Sequence, residues 1–305
     1  MQVVITGISG FVGQNLNQYF SSKGVDVQAV SLRNDNWVAN FPDHIDVIIH
    51  LAGKAHDTAK VSDDEAYFKV NRDLTIALFD KFLESNIKDF FYFSSVKAVA
   101  DTVNGILIEN VIGNPITPYG KSKLEAENYL LGKALPKGKR LFIIRPCMIH
   151  GPGNKGNLNL LYKVVEKGIP WPLAAFHNQR SFLSIDNLNY LVREMIINED
   201  LKSGIYNFAD DEDLSTNELV TLIAVTLGRS AKLWKIPVGL INAIVRIGDI
   251  LPLPLNSERL KKLTESYRVS NVKIKTALGI NKLPLSAKEG LKKTIQSFQT
   301  INKFR

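Results

Sequence analysis

Apolar positions in the first half of the chain come as short continuous runs separated by amphipathic stretches. Val3–Thr6, Asp26–Leu32, Asp46–Leu51, Phe90–Ser95 and Arg140–Arg145 are such runs. Their length and lack of strict alternation predict strands buried on both faces. Between them, Phe11–Ser22, Asp64–Asn86 and Tyr119–Leu135 carry helical spacing, so the pattern predicts successive parallel βαβ units. Beyond Gly151-Pro152-Gly153 the alternation weakens. A helix is expected over Leu158–Lys167, a turn at Gly168-Ile169-Pro170-Trp171-Pro172, and mostly helical material after it. Val238–Leu255 is the most apolar later stretch, but Asn242, Arg246, Asp249 and two prolines interrupt it, so it reads as a packed helix and loop rather than a membrane span.

Composition adds limits. The chain has 305 residues, 45% of them hydrophobic and 22% charged, enough for one large domain or two intimately packed ones. One cysteine, Cys147, excludes an internal disulfide framework, and no Cys/His set has metal spacing, so no metal is expected and a reducing cytoplasm fits. The start, Met1 to Thr6, reads as a strand and not as a secretion signal. The formal charge of +8 is spread along the chain without an arginine-rich block, which argues against nucleic acid and is compatible with a polyanionic small substrate.

Thr6-Gly7-Ile8-Ser9-Gly10-Phe11-Val12-Gly13 lies between a strand and a helix, the context a dinucleotide fingerprint requires. Gly7 permits a sharp turn, Gly10 lets backbone approach a pyrophosphate, and Gly13 allows close helix–sheet packing. The helix start presents unpaired N–H groups and a positive dipole end to phosphate. An NAD enzyme usually ends its second strand on an acid. Here Ser31-Leu32-Arg33 stands there, and Arg33 suits the extra phosphate of NADP, so NADP is favoured over NAD.

Tyr119-Gly120-Lys121-Ser122-Lys123 places a Tyr and a Lys four apart on one helix face. Bringing a phenol from pKa ~10 two or three units toward neutrality takes roughly 3–4 kcal/mol of preferential phenolate stabilisation. Lys123 and an oxidised nicotinamide would both supply positive charge. Tyr119 could then protonate a carbonyl oxygen as hydride arrives, or deprotonate an alcohol as hydride leaves, while Ser95 at a strand end hydrogen-bonds the same oxygen.

On these residues the chain resembles the extended short-chain dehydrogenase/reductase family. The match rests on the glycine loop, Asp46-Val47-Ile48-Ile49-His50-Leu51-Ala52-Gly53, Asn71, Phe93-Ser94-Ser95, Tyr119 with Lys123, and Arg145-Pro146 followed by Gly151-Pro152-Gly153. The resemblance implies a doubly wound parallel α/β sheet of Rossmann type with a smaller, interleaved, mostly helical C-terminal substrate domain. Its boundaries would be 1–155 with about 180–210 for the dinucleotide domain, and 156–179 with 211–305 for the substrate region. It also implies a homodimer, a cofactor lying along Ser9, Phe11, Val12, Leu51, Ala52, Gly53, Asn71, Ser94 and Pro146, and a Lys123 that also touches the nicotinamide ribose. By the same resemblance His50 is a strand residue rather than a base.

Gly156-Asn157-Leu158, Pro170-Trp171-Pro172-Leu173, Asn178-Gln179-Arg180-Ser181-Phe182 and Glu258-Arg259-Leu260 look like the nucleotide-sugar branch. There, Asn157 and Arg180 would contact a diphosphate, with Leu158, Trp171 and Pro172 packing around uracil and Arg259 as a second phosphate contact. Asn157 at a helix start and the Arg180 fork suit anionic oxygens. Related 4,6-dehydratases carry Asp-Glu after the hydroxyl residue, whereas Val96-Lys97 stands here, with Lys97 on the substrate side. The similarity is to reductases of UDP-4-keto-6-deoxy-N-acetylhexosamines in surface-polysaccharide synthesis. UDP-sugar 4-epimerisation is the alternative, and a non-catalytic nicotinamide-binding regulator a remote third.

Overall fold

The computed structural model describes residues 1–55, 64–154, 156–250 and 256–303. Its main sheet has six parallel strands, β1 (Gln2–Thr6), β2 (Asp26–Val30), β3 (Val47–His50), β4 (Asp89–Phe93), β6 (Arg140–Pro146) and β9 (Gly204–Phe208), in the order β2-β1-β3-β4-β6-β9. Strand period explains the layering. Val3, Ile5, Val47, Ile49, Phe91, Phe93, Phe142 and Ile144 face one side, against Leu16 and Phe20 of α1 (Phe11–Ser22) and Leu188, Leu191 and Met195 of α6 (Ile185–Ile197). The alternate positions Val4, Ile48, Phe90, Tyr92, Leu141 and Ile143 face the other, against Leu78, Phe79 and Phe82 of α3 (Leu74–Glu84) and Ala126 and Leu130 of α4 (Pro118–Leu131). Each such side chain removed from water contributes roughly 1.5–3 kcal/mol, which is why continuous apolar runs are needed for a sheet covered on both faces.

Chain order reverses between β1 and β3, and ligands of such sheets bind outside the carboxyl ends of the strands at that switch point. The glycine loop after β1, Leu51–Gly53 after β3, Ser94–Ser95 after β4 and Pro146 at the end of β6 all lie there.

Several elements differ from the sequence expectation. β2 stops at Val30, which leaves Arg33 three residues beyond the strand. The expected helix over 64–86 is three pieces: α2 (Asp64–Phe68), a π turn over Lys69–Asp73, and α3. The start of α4 is set by Thr117, whose hydroxyl accepts from the Gly120 amide, and by Pro118 in the first turn.

The remaining elements are a three-stranded sheet, β10-β8-β7 (β7 Met148–His150, β8 Arg180–Ser184, β10 Asp213–Leu214), a two-stranded one, β11-β5 (β5 Ile106–Leu107, β11 Arg268–Val269), and further helices. Those helices are α5 (Asn157–Glu166), α7 (Thr216–Thr226), α8 (Val238–Ile250), α9 (Ser257–Thr264), α10 (Val272–Leu278) and α11 (Ala287–Lys303). A second core lies among α5, α7, α8, α9 and α11. The expected packed helix and loop over 238–255 is corrected in part. Ile241 and Val245 of α8 are buried, but Leu240, Ile244 and Ile247 are exposed, and residues 251–255 lie outside the described ones. Among the described residues no helix is long and apolar enough to cross a membrane.

Candidate active site

The glycine loop is built by backbone contact. Gly7 has φ +71°, and a Cβ there would stand 2.6 Å from the Ala52 nitrogen; one on Gly13 would stand 2.5 Å from the Gly7 carbonyl. Gly10 is different, since its Cβ would approach only the Gly7 carbonyl, at 3.2 Å. It is exposed and forms the N-cap of α1, with no side chain capping that helix and no acidic residue in its first turn. Ser9 is exposed, and Phe11 and Val12 are half-buried as α1 begins. A helix start left without a cap in an apolar protein surface is a fit for a pyrophosphate.

Across the cleft, Leu51, Ala52 and Gly53 leave β3, and the π turn turns Asn71 inward. The Asn71 side chain is fully buried, accepts from the Lys54 amide at 2.8 Å and donates to the Lys54 carbonyl and the Ser122 hydroxyl at 3.0 Å. π turns recur at functional sites because one extra residue re-aims a side chain without ending the helix. Beneath this, Thr6 and Thr75 hold the two ring nitrogens of His50 at 2.7 and 2.8 Å. Burial, reinforced by Lys123, pulls the His50 pKa down to about 3, so its ring is neutral and structural.

Tyr119, Lys123 and Glu127 lie one helical turn apart on α4. The Ser95 hydroxyl lies close enough to the Tyr119 phenol to lower its pKa. Ser95 also caps a short 3-10 turn, accepting from the Lys97 amide at 3.2 Å. Lys123 is buried; its ammonium donates to the Phe93 carbonyl at 2.9 Å and stands 4.8 Å from the centre of the Tyr92 ring. A Cβ on Gly53 would come within 3.3 Å of that ammonium and 3.0 Å of the Asn71 carboxamide oxygen, so the strand-end glycine leaves room for both groups. Burial pulls Lys123 down to about 8, opposed by the Glu127 carboxylate. Glu127 is itself held by a bidentate pair to Arg145 in the interior.

The electrostatics correct one expectation. Burial raises the Tyr119 phenol above its ordinary value and outweighs the nearby Ser95 hydroxyl, which lowers it. The Lys123 ammonium is directed at Phe93 and Tyr92, so the protein's own groups keep Tyr119 protonated, as a proton donor must be.

The residues expected around the substrate divide. The Lys97 ammonium donates to the Asp101 carbonyl at 2.7 Å and lies 4.2 Å from the centre of the Tyr267 ring. Burial lowers its pKa, and Arg180 and Lys261 lower it further, while Glu265 and Asp101 oppose them. Arg180 donates to the Glu265 carbonyl at 3.0 Å and to the Lys262 carbonyl, bracing the end of α9, whose other face carries exposed Arg259. Leu158 and Trp171 are both buried within the second core, Leu158 packed among apolar side chains. Trp171 is the same except that its indole N–H has no hydrogen-bond partner. Pro172 is half-buried beside it. Asn157 opens α5, and its side chain lies outside what is described. Arg33 is exposed beyond β2, and Pro146 is buried.

Two contributors escaped the motif reading. A Cβ on Gly120 would meet the Lys97 carbonyl and, at 2.6 Å, the Pro115 ring, so Gly120 is what lets α4 approach the Ser95 turn. Ser122, buried, bridges Asn71 to the Tyr119 carbonyl. Both lie inside Tyr119–Lys123, where helical spacing was the only signal used.

Ser94 supplies a further observation. Its hydroxyl is buried at the carboxyl end of β4 without a hydrogen-bond partner, as expected of a group reserved for a bound molecule. With the uncapped start of α1, this free hydroxyl fits a nicotinamide dinucleotide laid across the switch point. Residues 3–209 match the family described as NAD dependent epimerase/dehydratase. The chain belongs to that family. It is thus an NAD(P)-dependent enzyme. Among similar proteins, UDP-glucose 4-epimerase of Vibrio cholerae is 30% identical, over 98% of this chain and 96% of that one. An N-acetyl-alpha-D-glucosaminyl-diphospho-ditrans,octacis-undecaprenol 4-epimerase of Escherichia coli O157:H7 is 28% identical, over 96% and 94%. The solved structure of MoeE5 with UDP-glucose and NAD superposes with a TM-score of 0.76 at 19% identity, over 99% of this chain and 100% of that one, a likeness of fold.

Proposed function

We propose that this enzyme carries out oxidoreduction at carbon 4 of a UDP-linked sugar, and that its net reaction is reduction of a UDP-4-keto-6-deoxy-N-acetylhexosamine for surface-polysaccharide synthesis. The observation that carries the reading is the convergence of the Tyr119 phenol and Ser95 hydroxyl above buried Lys123 at the carboxyl edge of β4. A reduced nicotinamide, when bound, would supply the hydride. Ser95 orients the C4 carbonyl oxygen by a hydrogen bond. Tyr119 gives that oxygen its phenolic proton as the new C–H bond forms, leaving an alcohol. The Tyr119 phenolate then takes a proton back from solvent. Arg180 and Lys261 lie near Lys97, with Glu265 and Asp101 beside them, and these three cations could contact a diphosphate. Ser31 and exposed Arg33 in place of an acid after β2 favour NADP(H), which suits net reduction.

A second reading, 4-epimerisation, is favoured by the Vibrio cholerae relative named as a UDP-glucose 4-epimerase. It uses the same three side chains, with hydride removed and then returned to the opposite face. Incubation with the UDP-4-keto sugar and NADPH decides between them. One mole of NADPH oxidised per mole of sugar reduced is expected. Interconversion of UDP-hexose epimers with no net change in nicotinamide would give the reaction to the second reading instead.

A further inference from the structure

α8 carries more apolar surface than the fold buries. Ile241 and Val245 point into the second core, whereas Leu240, Ile244 and Ile247, spaced four and three apart, share an outward face and are 54%, 42% and 52% exposed. Trp234, four residues before the helix, is 57% exposed. It sits on a ribbon formed with the Gly168–Ala174 turn, where the Trp171 amide donates to the Lys232 carbonyl at 2.8 Å and the Trp234 amide to the Trp171 carbonyl at 2.9 Å. Ile169, in the same turn, is also exposed. Ordinary surfaces scatter single apolar residues, and a stripe along a helix with an outward indole beside it is a different arrangement.

Along residues 229–250 positive charges predominate. Arg229, Lys232, Lys235 and Arg246 are all exposed, and the one acidic residue between Arg229 and Ile250 is Asp249, whose carboxylate is engaged by the Ser257 amide at 2.8 Å and hydroxyl at 2.5 Å. An apolar helical face with an amphipathic indole at its edge and cations on its flanks matches the layering of an anionic bilayer surface, where acyl chains lie beneath interfacial carbonyls and a negative headgroup plane. A second copy of the chain would offer the same cations and repel them.

We propose that the outward face of α8, with Trp234, is a peripheral docking surface for an anionic lipid bilayer. The helix lies in the interface without crossing it, and the catalytic cleft stays in water. Nothing in this depends on which sugar is turned over.

The test uses the full chain with vesicles of phosphatidylcholine alone and of phosphatidylcholine with about one-third phosphatidylglycerol. Co-sedimentation with the anionic vesicles is expected. Added salt should weaken it, and in Leu240→Ser/Ile244→Ser/Ile247→Ser it should fall by about tenfold or more. Trp37 and Trp171 are buried, so a lipid-dependent blue shift of emission reports on Trp234 and should vanish in Trp234→Ser. These side chains point away from the cores and the cleft, so both variants should keep the melting temperature and the turnover of a soluble UDP-sugar. Two outcomes overturn the proposal: no binding of the native chain to anionic vesicles, or a native oligomer in sedimentation velocity that the triple variant dissolves, which would assign the face to a second copy.

Discussion

Lys123 shows what the site demands of single residues. Its ammonium is almost wholly inside the protein, and burial has taken its pKa from 10.5 to about 8. Between those values the unfolded chain binds a proton that the folded chain does not. Stability contributed through this residue therefore rises as pH climbs from 8 to 10.5, and the penalty is complete below pH 8. Lys123→Met should accordingly abolish turnover yet stabilise the fold at pH 7 by about 3 kcal/mol at most, seen as a higher melting temperature, with the gain shrinking toward pH 10. Thermal melts of both proteins across that range check it, and a destabilised variant at pH 7 would show that the Phe93 hydrogen bond outweighs burial. His50 has a consequence of the same sign in a lower pH window. Its folded pKa of about 3 means that the stability it contributes is present above its unfolded value of 6.5 and is lost as pH falls toward 3. Glu127 and Arg145, buried as a pair behind Lys123, are tolerable only together, since removing one partner typically costs about 3–5 kcal/mol.

At the scale of elements, the loop from β1 into α1 separates folding from binding among three glycines. Gly13→Ala would drive a methyl group into backbone 2.5 Å away and should lower the melting temperature markedly. Gly10→Ala meets only one carbonyl at 3.2 Å, so its fold should persist while the methyl occupies the approach to the uncapped helix start. Dinucleotide affinity by calorimetry should fall at least tenfold in Gly10→Ala with little change in melting temperature. Equal affinity would mean that the pyrophosphate lies elsewhere. These glycines were readable from sequence because their positions between a strand and a helix restrict them chemically. The π turn around Asn71 was not, since its residues Lys69–Asp73 fit an unbroken helical period and only packing against Ser122 and Lys54 reveals the extra residue. Gly120 was equally silent: nothing in its neighbours along the chain announces the Lys97 carbonyl pressed against it. α8 misled in another way, because its periodicity gave the helix but apolar content alone could not say which face the protein covers.

Across the whole molecule, function depends on where parallel strands end. Apolar runs marked five of the sheet's six strands, β9 being the one not read, and the sheet's reversal between β1 and β3 brings segments from residues 7–13, 51–54, 71, 94–95 and 119–123 to one edge. That much followed from pattern and chemistry. The substrate side was less legible, because its residues come from the irregular second half, where Trp171 and Leu158 serve a core and Arg180 braces α9 through carbonyls remote in sequence. The account stands on Tyr119 as the group that moves the proton while the rest of the edge binds and orients. The most direct measurement compares Tyr119→Phe with the native enzyme for dinucleotide binding by calorimetry and for turnover of the UDP-4-keto sugar, or of a UDP-hexose if epimerisation is the reaction. Retained cofactor affinity with turnover reduced by about three orders of magnitude or more is the predicted result. Turnover within tenfold of native, with cofactor bound, would contradict the account.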